Sequence, residues 1–546
     1  MHSGVPQEPG RACRLRAVTG TRDSRVKEAP GLRWLRSAAD GSEARAQRAV
    51  PPSEGNEARR DGRQAIGMPR STGEAGELTR EDPVEGRGHR IADRLRGTMP
   101  DIPGSETIST RQQTIATRAR QAPEMSFTSL NHHIDLAWLY EAYRRTRKDG
   151  APGVDGQTAE AYAEGLEDHL QDLLERAKSG RYRAPAVKRA HIPKGDGVAT
   201  RPIGIPTFED KILQRAVAMV LEPIYEQDFV DCSYGFRPGR SAHQALQVWR
   251  DELMRIGGGW VIELDVERFF DTLDKAQLRA FVGRRVRDGV LLRLIGKWLN
   301  AGVLEDGAVR YPEAGTPQGG VISPLLANIF LHEVLDVWFE RDIKPRLKGQ
   351  AVLIRYADDA VLGFSREEDA RRVLAVLPKR FAKYGLSLHP DKTRLIDFRS
   401  PRGGGPRGPS EQPRKRTFVL LGFTHYWAKS RRGYWVIKQK TATDRLSRAI
   451  TRIGRWCRQH RHAPVGEQHR ELAQKLRGHY GYYGITGNSY GLSRFVSEVK
   501  RRWHYWLNRR SEHRDWTWAR FTRYLRANPL PPAICVHSTL RHVANP

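Results

Sequence analysis

Three aspartates follow two strand-like runs that lie far apart in the sequence. Asp265 comes directly after WVIEL (260–264), and Asp358 and Asp359 lie inside VLIRYADDAVLGF (352–364). A carboxylate at the end of a buried strand is costly unless it meets a cation or water. If the two runs are neighbours in one sheet, the carboxylates converge and repel one another, and a divalent metal ion relieves that repulsion.

The ligand type indicates which metal ion and which reaction to expect. Carboxylate oxygens with no His or Cys nearby favour Mg²⁺ over zinc, with Mn²⁺ as a substitute. Two such ions roughly 3.5–4 Å apart activate an attacking hydroxyl and stabilise a leaving oxygen in phosphoryl transfer. Asp is also a common turn residue, so a β-hairpin with Asp358 and Asp359 at its turn, without catalysis, is the alternative. Asp271 and Asp274 stand where a helix would begin, and we predict that they cap it.

The segments around these aspartates alternate between helix-like and strand-like patterns. Apolar periodicity predicts helices over 136–147, 159–180 and 211–229, and a helical pattern again from about 440 to 526. β-Branched runs predict short buried strands at 260–266 and 351–356. Together these elements predict an α+β or α/β core. By contrast, residues 1–125 are rich in Arg, Glu, Gly, Ser and Ala and are predicted to be a disordered or weakly structured leader.

The charge of the chain points to a polyanionic partner. The 546 residues carry 93 Lys and Arg against 63 Asp and Glu, a net charge of +30, and nucleic acid is the commonest partner of such a protein. Residues 401–546 hold 30 of the basic and 7 of the acidic side chains. Aromatic residues are interleaved with these cations and either stack on bases or pack the helices' own core; we expect each role for about half of them. A solvated basic face is the simpler alternative.

Other features of the composition exclude several classes of protein. The four cysteines are scattered with no CxxC pair, which excludes a zinc ribbon and a disulfide framework and fits a reducing compartment. No apolar run approaches the ~20 residues that span a bilayer, and the N-terminus lacks the apolar region of a signal peptide. We therefore expect a cytoplasmic protein without a membrane partner.

The order of motifs along the chain resembles that of reverse transcriptases. Tyr356-Ala357-Asp358-Asp359 resembles their YxDD box, and the segment that starts at Asp265 resembles their first palm motif. Five more blocks follow the family's order: 191–214, 231–246, 315–331 with Pro-Gln-Gly, 385–393 and 418–423. One YADD is a weak signal, but seven ordered blocks are a strong one. Over roughly 127–530 the set is similar to group II intron-encoded proteins, which are reverse transcriptases with an attached maturase segment.

This resemblance implies an α+β fold of the right-hand polymerase type, with fingers and a palm built from antiparallel β-sheet and helices, followed by an α-helical thumb/maturase domain. The implied boundaries are a leader at 1–125, fingers at 126–255, a palm at 256–428, a helical thumb/maturase domain at 429–526 and a tail at 527–546. Paired cysteines and histidines of a nuclease domain are not found, so we expect the endonuclease-less, compact bacterial class.

The resemblance also implies roles for single residues. Asp265, Asp358 and Asp359 would hold two Mg²⁺ ions and carry the catalysis. Phe270 would block a 2′-hydroxyl and so select deoxynucleotides, although it would also pack beside Phe269. The remaining residues implied to bind the dNTP are Lys194, Arg201, Gln318 and Lys392. For Lys392, a salt bridge to a palm carboxylate is equally expected.

The implied activity is RNA-directed DNA polymerisation that copies a parent group II intron, together with binding of intron RNA to assist splicing and retromobility. The partners would be group II intron RNA, a DNA target or primer, and dNTPs. The alternatives are an RNA-binding splicing cofactor without polymerase activity and a domesticated reverse transcriptase in phage defence. The side chains implied to contact nucleic acid are Arg237, Arg240, Arg477, Tyr480, Tyr483, Arg501, Arg502 and Trp503.

Overall fold

A computed structural model describes residues 105–193, 200–311, 315, 319–401, 416–513 and 515–537. The fold is α+β, as predicted: helices occupy both ends of this part of the chain, and sheets of mostly antiparallel strands lie between them. Among the described residues, every helix is too short or too polar to cross a lipid bilayer.

The first helices form a layer around one long apolar helix. They are α1 (Ser105–Gln121), α2 (Leu136–Arg145), α3 (Ala159–Ala163), α4 (Leu166–Ser179) and α5 (Phe208–Asp228). Helix α5 is apolar on nearly every side because it lies at the centre of this layer. The indole of Trp138 in α2 donates a hydrogen bond to the Ala216 carbonyl of α5 at 2.9 Å.

Helix α1 corrects the predicted leader. It packs against α5 through the buried side chains of Ile108, Ile115 and Ala119. The prediction of a disordered or weakly structured segment is therefore wrong for 105–121. A helix whose buried face holds only these few apolar residues among many polar ones gives too weak a periodic signal to be recognised in the sequence.

The middle of the chain contains two sheets of four strands. One has the order β2-β1-β5-β6 and the other, which we call the central sheet, has the order β10-β3-β8-β7. The strands are β1 (Val187–Pro193), β2 (Thr200–Ile205), β3 (Trp260–Leu264), β4 (Val266–Glu267), β5 (Val303–Glu305), β6 (Ala308–Arg310), β7 (Ala351–Tyr356), β8 (Asp359–Phe364), β9 (Ser387–Leu388) and β10 (Arg394–Asp397). All pairs in the central sheet are antiparallel. The predicted strand at 351–356 is thus confirmed. The strand predicted at 260–266 is observed as β3 and β4, which Asp265 separates.

Helices pack against the central sheet, α6 against β7 and α11 against β3, β8 and β10. The helices of this part of the chain are α6 (Ala242–Arg255), α7 (Phe269–Thr272), α8 (Lys275–Arg285), α9 (Gly289–Leu299), α10 (Ser323–Leu331) and α11 (Glu367–Ala382). Helix α10 continues in wider π-helical turns at His332–Asp336 and Trp338–Ile343. Because both faces of the sheet are covered, β7 and most of β8 are buried, which explains why their sequences read as continuous apolar runs rather than as alternating ones.

The last part of the chain is a small sheet followed by a helical bundle. The sheet contains β11 (Phe418–Leu420), β12 (Phe423–Lys429) and β13 (Trp435–Thr441). The helices are α12 (Thr443–Gln459), α13 (Val465–Tyr483), α14 (Ser489–Leu507) and α15 (Trp518–Ala527), and their apolar residues form a core of their own. The largest core cluster, in contrast, runs from α1 to beyond α11 and crosses the implied boundary at 255/256. The division into fingers, palm and thumb stays a prediction.

Candidate active site

The central sheet brings the three aspartates to one edge. Strand β3 ends at Leu264, which lies opposite Ala360 of β8, so Asp265 follows next to the first residue of β8. Strands β7 and β8 form a hairpin in which Asp359 pairs with Tyr356 and Asp358 lies in the turn. The hairpin predicted from VLIRYADDAVLGF is therefore confirmed, and Asp265 joins its turn because β3 and β8 run antiparallel.

The aspartates influence one another electrostatically. Asp358 and Asp359 reach solvent but are surrounded by protein on most sides, and this burial raises the pKa of both, that of Asp359 to about 7. The negative charge of Asp265 raises both pKa values further, and that of Asp358 raises the pKa of Asp359. A group of carboxylates with this mutual repulsion is a site that a divalent cation stabilises.

The carboxylates of Asp265, Asp358 and Asp359 are suitable ligands for Mg²⁺, because this ion prefers hard oxygen donors. In the part of the chain that the structure describes, no three His, Cys, Asp or Glu side chains are gathered closely enough to hold a metal ion by themselves. The two-metal site therefore stays a prediction that rests on the type of ligand and on the convergence of the carboxylates.

Cationic side chains approach the same edge. The ammonium of Lys392 lies 3.0 Å from Asp265 Oδ2, so the salt bridge that the sequence left open is present. The guanidinium groups of Arg201 on β2 and Arg445 on α12 lower the pKa of Asp359, and Arg201 also lowers that of Asp358. Arg445 was missed by sequence reasoning because it lies on α12, about 85 residues after the turn. Lys194 and Gln318 lie outside the described residues.

Phe270 lies in the short helix α7, five residues beyond Asp265. Its ring is half-buried, contacts Phe269 edge-to-face at 5.2 Å between centroids and packs against the main core. Core packing is thus observed, and the predicted contact with the sugar stays a prediction. Asp274 caps α8 by accepting hydrogen bonds from two backbone N–H groups, as predicted, whereas Asp271 lies within the first turn of α7.

Three of the residues predicted to contact nucleic acid are buried, and we correct these assignments. Trp503 is 0% exposed and its indole donates to Gln468 Oε1 at 2.8 Å. Tyr480 is 2% exposed and its hydroxyl donates to the Pro531 carbonyl. Arg237 directs its guanidinium at the Glu226 carboxylate and at backbone carbonyls. Each of these side chains has its polar group satisfied inside the protein, so a nucleic-acid contact does not hold for them.

The other predicted contacts lie at the surface. Arg477, Arg501 and Arg502 are exposed, and Arg501 pairs with Glu498 at 3.0 Å. Arg240 is half-buried, pairs with Asp231 and lies over the Tyr234 ring. Tyr483 is half-buried against Phe423. Their roles in nucleic-acid binding stay predictions.

Helix periodicity separates the two groups on α14. The buried side chains Val496, Val499, Trp503 and Leu507 recur every three or four residues. Arg501 and Tyr505 lie on another face of the helix, and Arg509 follows two residues after its end. Tyr505 is 46% exposed, and the Arg509 guanidinium lies 4.4 Å from its ring centroid. Sequence reasoning counted Tyr505 among the aromatic residues that either stack on bases or pack the core and did not single it out as exposed, although its spacing of four residues from Arg501 was the available signal.

A buried arginine behind the turn was also missed. Arg355 in β7 is 0% exposed and forms an ion pair with Asp336, which is equally buried. The sequence does contain a signal: an Arg inside the apolar run AVLIRY must have a partner, because charged residues are almost never fully buried unless they are paired. The identity of that partner, from a helical segment 19 residues earlier in the chain, was not visible in the sequence.

Comparison with known proteins agrees with this geometry. Residues 192–425 match the family described as Reverse transcriptase (RNA-dependent DNA polymerase). The chain is 42% identical to Protein YkfC of Escherichia coli over 287 residues, which are 47% of this chain and 75% of that protein. It is 36% identical to the Group II intron-encoded protein LtrA of Lactococcus lactis over 231 residues, 40% of this chain and 38% of LtrA. Nuclear intron maturase 2, mitochondrial, of Arabidopsis thaliana is 30% identical over 231 residues, 35% of this chain and 30% of that protein.

An α+β polymerase fold with aspartates at the edge of its central sheet, followed by a helical bundle, defines the reverse transcriptase class. Within this class the chain belongs to the family of group II intron reverse transcriptases and maturases. This chain spans less than half of the length of LtrA. Membership of the family therefore does not by itself assign the activity or the partners of the whole LtrA protein to this chain.

Proposed function

We propose that the protein is an RNA-directed DNA polymerase that copies group II intron RNA into DNA by two-metal nucleotidyl transfer. We further propose that it binds its parent intron RNA to assist splicing and retromobility. The observation that carries the polymerase proposal is the convergence of Asp265 with Asp358 and Asp359 at one sheet edge, within the residues that match the reverse transcriptase family.

The residues at this edge suit the proposed reaction. Asp265, Asp358 and Asp359 offer oxygen donors to two Mg²⁺ ions, or to Mn²⁺ in their place. Bound ions would supply the positive charge that activates the 3′-hydroxyl of the DNA primer and stabilises the leaving pyrophosphate. Lys392 pairs with Asp265, and its exposed ammonium would exchange between this carboxylate and a phosphate of the incoming dNTP.

The other proposed contacts divide the work of holding the dNTP. Arg201 is exposed on β2 and close enough to the turn to lower the pKa of Asp358, so its planar fork suits the triphosphate. Lys194 and Gln318 complete the proposed set through the family resemblance. The half-buried ring of Phe270 is proposed to exclude a 2′-hydroxyl while the core holds it in place.

The proposed RNA contacts lie on the C-terminal helices. Exposed cations on α12–α14 include Arg455, Arg477 and Arg502, and the exposed ring of Tyr505 lies among them. Cations that meet phosphates and rings that stack on unpaired bases are the usual means of binding structured RNA. This surface supports the proposed binding of the parent intron.

Primer extension tests the polymerase proposal directly. We expect the full-length protein to extend oligo(dT) on poly(rA) with Mg²⁺ and dTTP, and Asp358→Asn to lower the rate of this extension by roughly a thousandfold. Asp172→Asn, which changes an exposed carboxylate on α4, is the matched control and should extend normally. An absence of extension by the wild-type protein, in a preparation that binds intron RNA, would reject the polymerase activity.

The Lys392–Asp265 ion pair favours a second candidate function. If the Lys392 ammonium permanently takes the place of a metal ion at Asp265, the protein cannot polymerise DNA and would act only as an RNA-binding splicing cofactor. In that case the wild-type protein stimulates splicing of the parent intron, and Asp358→Asn does so equally well while neither protein extends a primer.

A further inference from the structure

Arg355 uses every hydrogen-bond donor of its side chain although it is fully buried. Nε and Nη2 donate to the two carboxylate oxygens of Asp336 at 2.8 and 2.6 Å. Nη1 donates to Asn328 Oδ1 at 2.8 Å and to the Ala357 carbonyl at 3.0 Å, and Nη2 also donates to Ser233 Oγ at 2.7 Å. An arginine side chain has five N–H donors in a fixed planar fork, so these five contacts hold the guanidinium in one orientation.

The contacts of Arg355 join β7 to two other parts of the chain, the segment that contains Ser233 and the helix α10 with its π-helical continuation. Ser233 belongs to the segment DCSYGFRPGRS, Asn328 lies in α10, and Asp336 lies in the π-helical turns that follow α10. The backbone of the first segment also pairs with β7: Arg355 N–H donates to the Cys232 carbonyl at 2.8 Å, and Tyr234 N–H donates to the Arg355 carbonyl at 2.9 Å. The guanidinium therefore lies where these segments meet.

The turn that carries Asp358 is fixed from behind by the same network. Ala357 has a φ of +56°, in the left-handed region that residues other than glycine rarely adopt. Its carbonyl accepts the hydrogen bond from Arg355, and since the peptide group is planar, this bond also orients the N–H of Asp358. Gly235 packs against the turn so closely that a Cβ at this position would collide with the backbone nitrogen of Ala357.

We propose that Arg355, held by Ser233, Asn328 and Asp336, is a positioning residue that sets the orientation of the Asp358 carboxylate for divalent-cation binding. This inference rests on the proposed polymerase function. It also assigns a structural role to Ser233, Tyr234 and Gly235 in the segment 231–246, because the Ser233 side chain and the backbone of this segment contact β7 and the turn from behind.

A second buried arginine provides a matched control. Arg285 in α8 pairs with Asp228 at 2.8 Å and donates to carbonyls at the end of α1 and just after it, among them those of Ala119 and Ala122. It is nearly as buried as Arg355 and equally rich in hydrogen bonds, but its partners belong to the N-terminal helices. If a substitution acts only by disrupting a buried polar network, substitutions in the networks of Arg355 and of Arg285 should have the same effect.

The decisive variant is Ser233→Ala, because it removes one hydrogen bond from Arg355 and leaves the ion pair intact. Tyr225→Phe is its control, since it removes one buried hydrogen bond, from the Tyr225 hydroxyl to the Val282 carbonyl, beside Arg285. Groups that orient metal ligands typically change metal affinity by roughly 10- to 100-fold when they are mutated. For Ser233→Ala we expect the Mg²⁺ concentration at half-maximal primer extension to rise about tenfold, with the KM for primer–template unchanged. Tyr225→Phe should lower Tm to a similar extent and keep the wild-type Mg²⁺ dependence.

A binding measurement separates this inference from the activity itself. Mn²⁺ is titrated into each full-length protein with a dideoxy-terminated primer on poly(rA) and dTTP, and free Mn²⁺ is followed by its electron paramagnetic resonance signal. We expect weaker Mn²⁺ binding for Ser233→Ala than for wild type and Tyr225→Phe. Arg355→Lys removes the planar guanidinium group and should weaken Mn²⁺ binding more than Ser233→Ala does. If Arg355→Lys does not fold, the result for Ser233→Ala decides the test.

The outcomes are distinguishable. If the wild-type protein extends primers, and if Ser233→Ala and Tyr225→Phe depend on the Mg²⁺ and Mn²⁺ concentrations in the same way, the positioning role is wrong and the proposed function stands. If the wild-type protein does not extend primers, the proposed function fails, and a loss of Mn²⁺ affinity confined to Ser233→Ala still supports the positioning of Asp358.

Discussion

The edge of the central sheet and the helical bundle α12–α15 carry their charges in opposite ways. At the sheet edge, a few carboxylates of like sign are held close together by backbone pairing and are surrounded by protein. On the bundle, many cations are spread over exposed helix faces. The first arrangement depends on the position of each atom, whereas the second depends mainly on total charge. Single substitutions should therefore have large effects at the sheet edge and small effects on the charged surface of the bundle.

The largest expected effect is that of Asp358→Asn on primer extension. An amide keeps the shape of the side chain but removes the negative charge that a divalent cation needs, and loss of several kcal/mol of charge stabilisation lowers the rate by roughly a thousandfold. Binding of intron RNA should remain within about twofold of wild type, since the bundle is unchanged. A parallel measurement of single-turnover extension and of RNA binding checks both halves. Equal losses in the two assays would contradict the separation of the two regions.

Two aromatic residues on α14 sharpen the comparison within the bundle. Trp503→Ala removes a fully buried ring from the bundle core and should lower the free energy of unfolding by about 3–5 kcal/mol. Tyr505→Ala, two residues further along, removes a ring that is 46% exposed and should change stability by only about 0.5 kcal/mol. Denaturant unfolding of both variants measures this difference.

RNA binding by these two variants supplies the converse test. Tyr505→Ala should weaken RNA binding by about 1–3 kcal/mol if the ring stacks on a base, whereas Trp503→Ala should bind normally wherever it remains folded. Normal RNA binding by Tyr505→Ala would reject the stacking role of this ring.

The same contrast explains what the sequence could predict. The positions of Asp265, Asp358 and Asp359 follow from short apolar runs and one two-residue turn, and strand pairing then fixes where each carboxylate lies. The sequence of the bundle predicts basic helices, but composition alone does not predict which face of each helix points outward. Tyr480 and Trp503 were assigned to the surface because composition was read without helix periodicity. The partners of Arg355 lie beyond any local pattern, since packing of distant segments brings them together.

Phe270→Ala is expected to have an intermediate effect, on substrate selection rather than on rate. If the ring excludes a 2′-hydroxyl, its removal should shift the ratio of kcat/KM for dTTP over UTP toward the ribonucleotide by roughly 10- to 100-fold. Steady-state extension with each nucleotide gives this ratio directly. Phe269→Ala is the control, because Phe269 is buried in the core; it should lower stability and keep the wild-type ratio. An unchanged ratio in folded Phe270→Ala protein would leave core packing as its role.

The smallest expected effect is that of a single surface arginine on the salt dependence of RNA binding. Arg502 is exposed on α14, and if its guanidinium meets one phosphate, Arg502→Gln should reduce the slope of log K against log[salt] by roughly 0.7–0.9. Arg371→Gln is a matched change on α11, where the arginine pairs with Glu367, and it should leave the slope unaltered. Filter binding of intron RNA at several salt concentrations measures both slopes. A slope that falls equally for the two variants would mean that total charge, rather than the bundle surface, determines RNA binding.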